Sequence, residues 1–180
     1  TDEEYHEFYR HVSHDFGEPL KHIRMSAEGT QEFKALLYLP SEAPADLFYR
    51  DSTAVGVHLY IRRVFIMNDC KELIPEYLRF VRGVVDSEDL SLNISRELLQ
   101  KDRQIEGIRK AVTRKLFETF KKMMSDESEK YFDFWKQFGR MIKEGLFTDA
   151  ANRDKLFDFV LLPTTRKAGE DDENAKPWEK

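Results

Sequence analysis

The sequence predicts an α/β (α+β) fold, in which a layered helix-sheet-helix domain with a mixed or antiparallel sheet precedes a compact three-helix unit. Three observations support this prediction. Short apolar runs with alternating or β-branched residues occupy the first half of the chain, as expected for strands. Apolar residues at helical spacing occupy the second half. The chain has 180 residues, of which 41% are hydrophobic, so it can bury a core of its own.

The first segment is predicted to be an amphipathic helix that covers one face of the sheet. Thr1 and Glu4 have the spacing of a capping box. We expect Gly17 and Pro19 to end the helix. Its apolar stripe consists of Tyr5, Phe8, Tyr9, Val12 and Phe16.

Strands are predicted in the next part of the chain. Two extended runs between residues 20 and 39 flank the turn signal Glu28-Gly29-Thr30, which indicates an antiparallel hairpin. The apolar pattern from Val57 to Ile66 predicts one continuous strand. Between them, residues 40–51 form a loop whose apolar residues 47–49 either pack beneath it or form a binding patch.

Helices are predicted beyond residue 100. The first has the apolar stripe Ile105, Ile108, Val112, Leu116, Phe120 and Met123 and reaches about Met124. The second is capped by Asp126, with Glu129 at its third position, and stops near Gly145; its stripe is Phe132, Trp135, Phe138, Met141 and Ile142.

A third, final helix is predicted to open at Thr148 and Asp149 and to run through Leu156, Phe157 and Val160. The charged segment after it contains few aliphatic residues and should be disordered. We therefore predict a large α/β subdomain at 1–124, a helical unit at 125–162 and a disordered charged tail at 163–180.

The most informative stretch is GVVDSEDLSLNISRELLQ, residues 83–100, which follows a short helix begun by Pro75. It predicts a buried strand, an exposed loop and the start of a helix capped by Ser95. Arg96 and Gln100 would then share a helical face, and a fixed guanidinium can bind phosphate through two parallel hydrogen bonds. Spacing alone favours the other reading, in which Arg96 at the start of the helix pairs with Glu97, Asp89 or Glu88. The acids Glu88, Asp89 and Glu97 can be read as an acid/base set or as solvated charges.

The run from Leu73 to Gln100, including LIPEYLRFVRGVVDSEDL, closely resembles the signature of the heat-shock protein 90 chaperones. The resemblance extends from about Glu3 to Leu162 and covers only the family's middle segment. The segments EFYRHVSHDF, EGTQEF and YIRRVFIMNDC are more similar to the bacterial branch. Ser91 stands where many members of the family have proline.

The resemblance implies roles for individual residues. Arg96 would be the catalytic arginine that contacts the γ-phosphate of ATP, which is held with Mg in a separate N-terminal domain. Gln100 would be its neighbour in the catalytic loop, residues 86–100. Phe65, Leu90 and Leu92 would contact the nucleotide domain, although Phe65 can also be read as a core residue. The chain would bind no cofactor alone.

The function implied is that of the middle segment of an ATP-dependent chaperone, which is not an enzyme by itself. Its partners would be the N-terminal nucleotide domain and unfolded client proteins, in the cytoplasm. The parent protein would be a homodimer and the isolated segment a monomer. The alternative is a nucleotide-independent protein-protein interaction module that uses the helical aromatic surface and residues 47–49.

Composition argues against several other functions. The net charge of -5 does not favour nucleic-acid binding. No apolar run approaches the roughly 20 residues of a membrane helix. One cysteine, Cys70, excludes a disulfide framework and favours a reducing compartment. The eight glycines are scattered and no G-x-x-x-x-G-K-[ST] motif occurs, so the chain has no phosphate cradle.

His11 and His14 have metal-ligand spacing, but no carboxylate or thiolate pattern completes a site, so we expect surface or interface histidines and no metal. The arginines at 62, 63, 79 and 82 either attract an anion or form a solvated face. The chain starts at Thr1 without a methionine, which suggests a piece of a longer protein.

Overall fold

The computed structural model describes residues 1–29, 31–43, 56–92, 99, 102–163 and 178–179. The chain forms two compact units, Thr1–Leu116 and Phe117–Lys180. Within these described residues the helices are α1 (Asp2–Ser13), α2 (Arg103–Asp126), α3 (Ser128–Thr148) and α4 (Arg153–Phe157), and two short 3₁₀ helices span Lys71–Leu73 and Glu76–Leu78. Leu99 is also helical. The strands are β1 (Pro19–Ala27), β2 (Phe33–Pro40), β3 (Val57–Ile61), β4 (Val64–Met67), β5 (Arg82–Ser87), β6 (Leu162–Pro163) and β7 (Trp178–Glu179).

The predicted α+β fold with a mixed sheet is confirmed. Five strands are arranged in the order β1-β2-β5-β3-β4. β3 and β5 are parallel, and every other neighbouring pair in this sheet is antiparallel. The predicted β1–β2 hairpin is present, with Gly29 at its turn in a positive-φ conformation. Strand β5 is hydrogen-bonded to a neighbour on each side, so it is a central strand of the sheet.

Helix α1 has the predicted capping box but ends earlier than predicted. The amide of Glu4 donates to Thr1 Oγ1 at 3.4 Å. His14 turns the chain with a left-handed φ of 55°, and its amide donates to the carbonyl of Arg10. Phe16 therefore lies beyond the helix and is 95% exposed, so its assignment to the apolar stripe was wrong. Tyr9 and Val12 form a buried cluster with Tyr38 of β2.

The prediction of one continuous strand from Val57 to Ile66 is also wrong. Arg62 and Arg63 have φ angles of 51° and 67° and reverse the chain between β3 and β4. Positive φ at both central residues is the conformation of a type I′ hairpin turn. The amide of Arg62 donates to the carbonyl of Ser87, and that of Arg63 to Asp86 Oδ1, both at 3.0 Å. These two bonds to the end of β5 help to hold a turn that arginine disfavours.

The helical stripes of the second half are mostly confirmed, but their caps are not. Asp126 still belongs to α2, and the N-cap of α3 is Glu127, without a side-chain capping bond. Helix α3 continues past the buried Gly145, because one glycine disfavours a packed helix by only about 1 kcal/mol. The last helix begins at Arg153 rather than near Asp149, whose carboxylate instead accepts the amide of Asn152 at 3.2 Å.

The second unit has an aromatic core. The rings of Phe120 and Phe134 are tilted against each other with centroids 5.1 Å apart, and those of Phe117 and Phe159 are 5.0 Å apart. The hydroxyl of Tyr131 donates to the carbonyl of Phe159, which satisfies a buried polar group. The division between the units falls inside α2, at residues 116 and 117, whereas we predicted a boundary at 124 and 125. Residues 164–177 and 180 of the predicted tail lie outside the described residues, and β6 pairs with β7.

The single cysteine is part of the core of the first unit. Cys70 is 1% exposed, and its Sγ donates to Glu72 Oε2 at 3.6 Å. Burial, reinforced by the charge of Glu72, raises the pKa of the Cys70 thiol to about 12. This thiol is therefore protonated at neutral pH.

Gly83 allows β5 to lie against β2. Its φ is 131°, and a Cβ atom there would lie 2.1 Å from the carbonyl oxygen of Leu36 and 2.9 Å from the Cα of Leu37. Both contacts are with backbone atoms, which cannot move away without shifting β2. Gly29 has a similar φ of 114°, but a Cβ atom there would have no heavy atom within 4 Å.

These two glycines provide a matched test of the sheet. Gly83→Ala should lower the free energy of unfolding by about 3 kcal/mol, because the cost of the collision with β2 adds to the cost of backbone strain. Gly29→Ala should cost about 1 kcal/mol, because only the strain applies. Urea unfolding followed by circular dichroism measures both values. Equal losses would contradict the importance of the close approach between β5 and β2.

Candidate functional site

The residues predicted to carry the chemistry, Arg96 and Gln100, lie outside the described residues, as do Ser95 and the apolar residues 47–49. The structure does describe both flanks of this segment. The first flank runs from the end of β5 to Leu92, and the second includes Leu99 and continues from Asp102 into α2. The described part of the candidate site consists of these two flanks and the residues that contact them.

The first flank is attached to the β1–β2 hairpin. The amide of Glu88 donates to the carbonyl of Glu32 at 3.0 Å, and the amide of Glu32 donates to Asp89 Oδ2 at 2.6 Å. Leu90 is fully buried directly afterwards. Asp89 thus orders the chain at the start of the loop, as short acidic side chains often do in turns.

A second contact joins the first flank to the β3–β4 turn. Arg62 Nε donates to the carbonyl of Glu88 at 3.0 Å. Arg62 and Arg63 are exposed there, so their positive charges lie beside the start of the loop. Of the other two arginines considered, Arg82 is only 3% exposed and its Nη1 donates to the carbonyl of Arg79 at 2.7 Å. Placing Arg82 on a charged surface was wrong.

The second flank is fixed by a helix cap. Leu99 is 1% exposed, and its carbonyl accepts the amide of Asp102 at 3.3 Å. Asp102 Oδ1 accepts the amides of Gln104 at 2.7 Å and Ile105 at 3.4 Å, in the pattern of an N-cap. A carboxylate at this end of α2 also interacts favourably with the helix dipole.

Two of the three predicted contact residues are exposed. The exposed fraction of Phe65 is 53% and that of Leu92 is 46%, whereas Leu90 has none. The interpretation of Phe65 as a core residue is therefore wrong. Its ring makes edge contacts with Tyr60 at 5.5 Å and His58 at 6.2 Å, which hold it in place. Leu90 is instead buried in the first unit and anchors the start of the loop there.

Sequence reasoning did not identify Gln31 and Glu32 as part of the site. They follow the turn of the β1–β2 hairpin, more than 50 positions before the residues they contact. The side-chain amide of Gln31 donates to the carbonyl of Gln104 in the first turn of α2. No periodicity or motif connects such distant positions, so only the folded chain reveals these contacts.

The histidines do not form a metal site in the described part of the chain, where no group of three or more potential ligands occurs. His11 and His14 lie at the end of α1 and are exposed. His58 is 9% exposed, and its Nε2 is buried without a hydrogen-bond partner. Burial lowers the pKa of His58, and the nearby His14 lowers it further.

The second unit contains a groove along α3. Its volume is about 470 Å³, and it is lined by Trp135, Lys136, Gly139, Arg140, Lys143, Glu144 and Phe147. Phe147 is 84% exposed, whereas Trp135, Phe138 and Met141 are buried. Most of the predicted aromatic stripe is therefore core, whereas Phe147 lies on the exposed, basic face of α3.

Comparison with known proteins identifies the class of this chain. The family model described as Hsp90 protein matches residues 1–173, so the chain belongs to the Hsp90 family. Its fold is similar to the middle domain of a Plasmodium falciparum heat shock protein, with a TM-score of 0.77 and 27% sequence identity. That match covers 91% of this chain and 62% of the other.

Bacterial relatives are more similar in sequence. The chain is 57% identical over 165 residues to the chaperone protein HtpG of Geobacter sulfurreducens, covering 92% of this chain and 25% of the relative. It is 54% identical over 170 residues to HtpG of Mycolicibacterium gilvum, covering 94% and 26%. The chain thus spans about a quarter of the length of these relatives and corresponds to an Hsp90/HtpG chaperone middle domain.

Within the described ranges, no helix is both long and apolar enough to cross a membrane.

The buried His58 predicts a pH dependence of stability. Its pKa in the folded protein lies below the ordinary value of 6.5, so the unfolded chain takes up the proton first. The contribution of neutral, buried His58 to the free energy of unfolding is fully present above pH 6.5. It is lost as the pH falls from there through the pKa of the folded state.

Unfolding free energies measured between about pH 8 and pH 5 should therefore decline less steeply for His58→Gln than for the unchanged protein. Glutamine keeps a polar side chain of similar size but cannot take up a proton. Parallel pH profiles for the two proteins would contradict this role of His58.

Proposed function

We propose that this chain is the middle segment of an ATP-dependent chaperone and that Arg96 presents its guanidinium to the γ-phosphate of ATP bound in a separate N-terminal domain. Gln100 is its neighbour in the same catalytic loop. The observation that carries this proposal is the family-like stretch 83–100, whose two flanks are fixed by hydrogen bonds and buried leucines on a central strand and a helix.

The chemistry of this role is charge stabilisation. Hydrolysis builds negative charge on the γ-phosphate oxygens, and an arginine delivered from another domain stabilises that charge. The effect depends on orientation, because a guanidinium displaced by about 1 Å loses much of its contribution. Fixed flanks restrict where such a loop can hold its side chains. The nucleotide cradle and the Mg site belong to the other domain, since this sequence has no glycine-rich phosphate motif.

The residues that border the loop are compatible with an anionic ligand. Arg62 and Arg63 are exposed beside its first flank, and the guanidinium of Arg62 is oriented by its bond to the carbonyl of Glu88. The acids Glu32, Glu88 and Asp89 lie at the same flank, so these arginines would act on a nucleotide phosphate only at short range.

We assign the contact with the nucleotide domain to Phe65 and Leu92. Both are apolar and about half exposed, as expected for side chains that become buried when a partner domain docks. Leu90 supports the loop from within the unit and is not part of this proposed surface.

Client binding and assembly are proposed for the whole protein. The exposed Phe147 and the groove on α3 offer an apolar surface with basic residues around it, which suits an unfolded segment. The same surface supports the alternative function, a nucleotide-independent interaction module. The parent is proposed to be a cytoplasmic homodimer, and the isolated segment a monomer.

Mixing this chain with a separate nucleotide domain distinguishes the two functions. Faster ATP turnover would support the catalytic role, whereas an interaction module would leave turnover unchanged.

The role of Arg96 can be tested in the full-length protein. Arg96→Ala should leave the Kd for ATP nearly unchanged and lower kcat for hydrolysis by about a hundredfold, because the guanidinium acts on charge that develops in the transition state. Steady-state hydrolysis and calorimetric titration measure the two quantities. Arg109→Ala, which removes an exposed arginine of α2, is the matched control and should leave both unchanged. Unchanged hydrolysis in Arg96→Ala would exclude the proposed role.

The contact surface has its own matched pair of variants. Phe65→Ser should reduce ATP turnover by about tenfold in the full-length protein, since docking of the two domains would lose an apolar anchor. Phe16→Ser removes an equally large, exposed phenylalanine after α1 and should have little effect. Comparable turnover in the two variants would argue against a contact at Phe65.

A further inference from the structure

The residues after the first hairpin turn contact both flanks of the segment that contains Arg96. Glu32 exchanges two hydrogen bonds with the first flank, through the amide of Glu88 and the carboxylate of Asp89. Gln31, the preceding residue, donates its side-chain amide to the carbonyl of Gln104 in the second flank. Two adjacent residues thus fix positions 89 and 104 relative to each other.

The contact between Gln31 and the carbonyl of Gln104 depends on the absence of a side chain at Gly107 of α2. A Cβ atom at Gly107 would lie 2.4 Å from Gln31 Oε1 and 3.1 Å from its Cδ. Glycine is unfavourable inside a helix, so its occurrence in the second turn of α2 requires a local reason. Making room for the Gln31 side chain is such a reason.

We propose that Gln31 and Glu32 form a positioning clamp that sets the separation of the two flanks and thereby the placement of Arg96. This inference rests on the proposed function of Arg96. Gln31 touches no reacting atom, so it is a positioning residue. A looser clamp leaves the guanidinium present but spreads it over more orientations, which reduces its effect on the transition state.

The clamp makes an unusual prediction for Gly107→Ala in the full-length protein. Alanine there would push the flexible end of Gln31 away from α2, while favouring the helix itself. We expect kcat for ATP hydrolysis to fall about fivefold with KM for ATP unchanged. The melting temperature should stay the same or rise. A glycine with only a structural role would not combine lower turnover with unreduced stability.

Further variants test whether the two residues act together. Gln31→Ala should reproduce the loss of turnover seen in Gly107→Ala. The double variant should be no worse than either single variant, because both remove the same contact. Arg109→Ala, two positions along the same helix, serves as the control. Independent, multiplying losses would overturn the clamp.

Arg96→Ala separates failure of the clamp from failure of the proposed function. If Arg96→Ala lowers hydrolysis while Gln31→Ala and Gly107→Ala do not, the clamp is wrong and the role of Arg96 stands. If Arg96→Ala has no effect, both proposals are wrong. In the Arg96→Ala background the clamp variants should cause no further loss, and an additional fivefold loss there would show that they act on something other than Arg96.

Discussion

The position of strand β5 is the constraint on which the candidate site depends. It pairs with β2 on one side and β3 on the other, so its end cannot move without breaking two sets of backbone hydrogen bonds. Gly83 permits this arrangement because a Cβ atom at this position would collide with the β2 backbone. A loop that follows such a strand starts from a fixed point, which is how rigid sheets commonly support functional loops.

The elements with strong periodicity could be predicted from sequence. The stripe of α2, from Ile105 to Met123, is buried as expected, and the β1–β2 hairpin forms around Gly29. In contrast, chain reversals that lack a typical turn residue could not be predicted from sequence. Arg62 and Arg63 carry no local turn signal, and the apolar pattern continues across them because β3 and β4 belong to the same sheet. The end of α1 at His14 was missed because no glycine or proline stands there, and the chain turns instead on a left-handed histidine. The continuation of α3 past Gly145 was missed because Gly145 is buried, and packing outweighed its local preference.

The candidate site likewise has some features that could be predicted from sequence and others that could not. The strand and the start of the loop follow from the sequence, whereas the predicted helix start at Ser95 lies outside the described residues. Family membership gives a reason to assign a role to Arg96. The supports of the loop do not follow from the sequence, since Glu32 and Asp89 are 57 positions apart. Backbone amides and carbonyls make many of these contacts, and any residue type can supply them. Side-chain patterns therefore contain little information about which distant segments hold the loop.

The protonated, buried thiol of Cys70 has a practical consequence for work on this protein. A thiol with a raised pKa and almost no solvent contact reacts slowly with maleimides and with peroxide, because both reactions require an accessible thiolate. A new cysteine placed on the surface would therefore be labelled selectively while Cys70 is retained. Fluorophores attached in this way can report distances between domains without disturbing the native core.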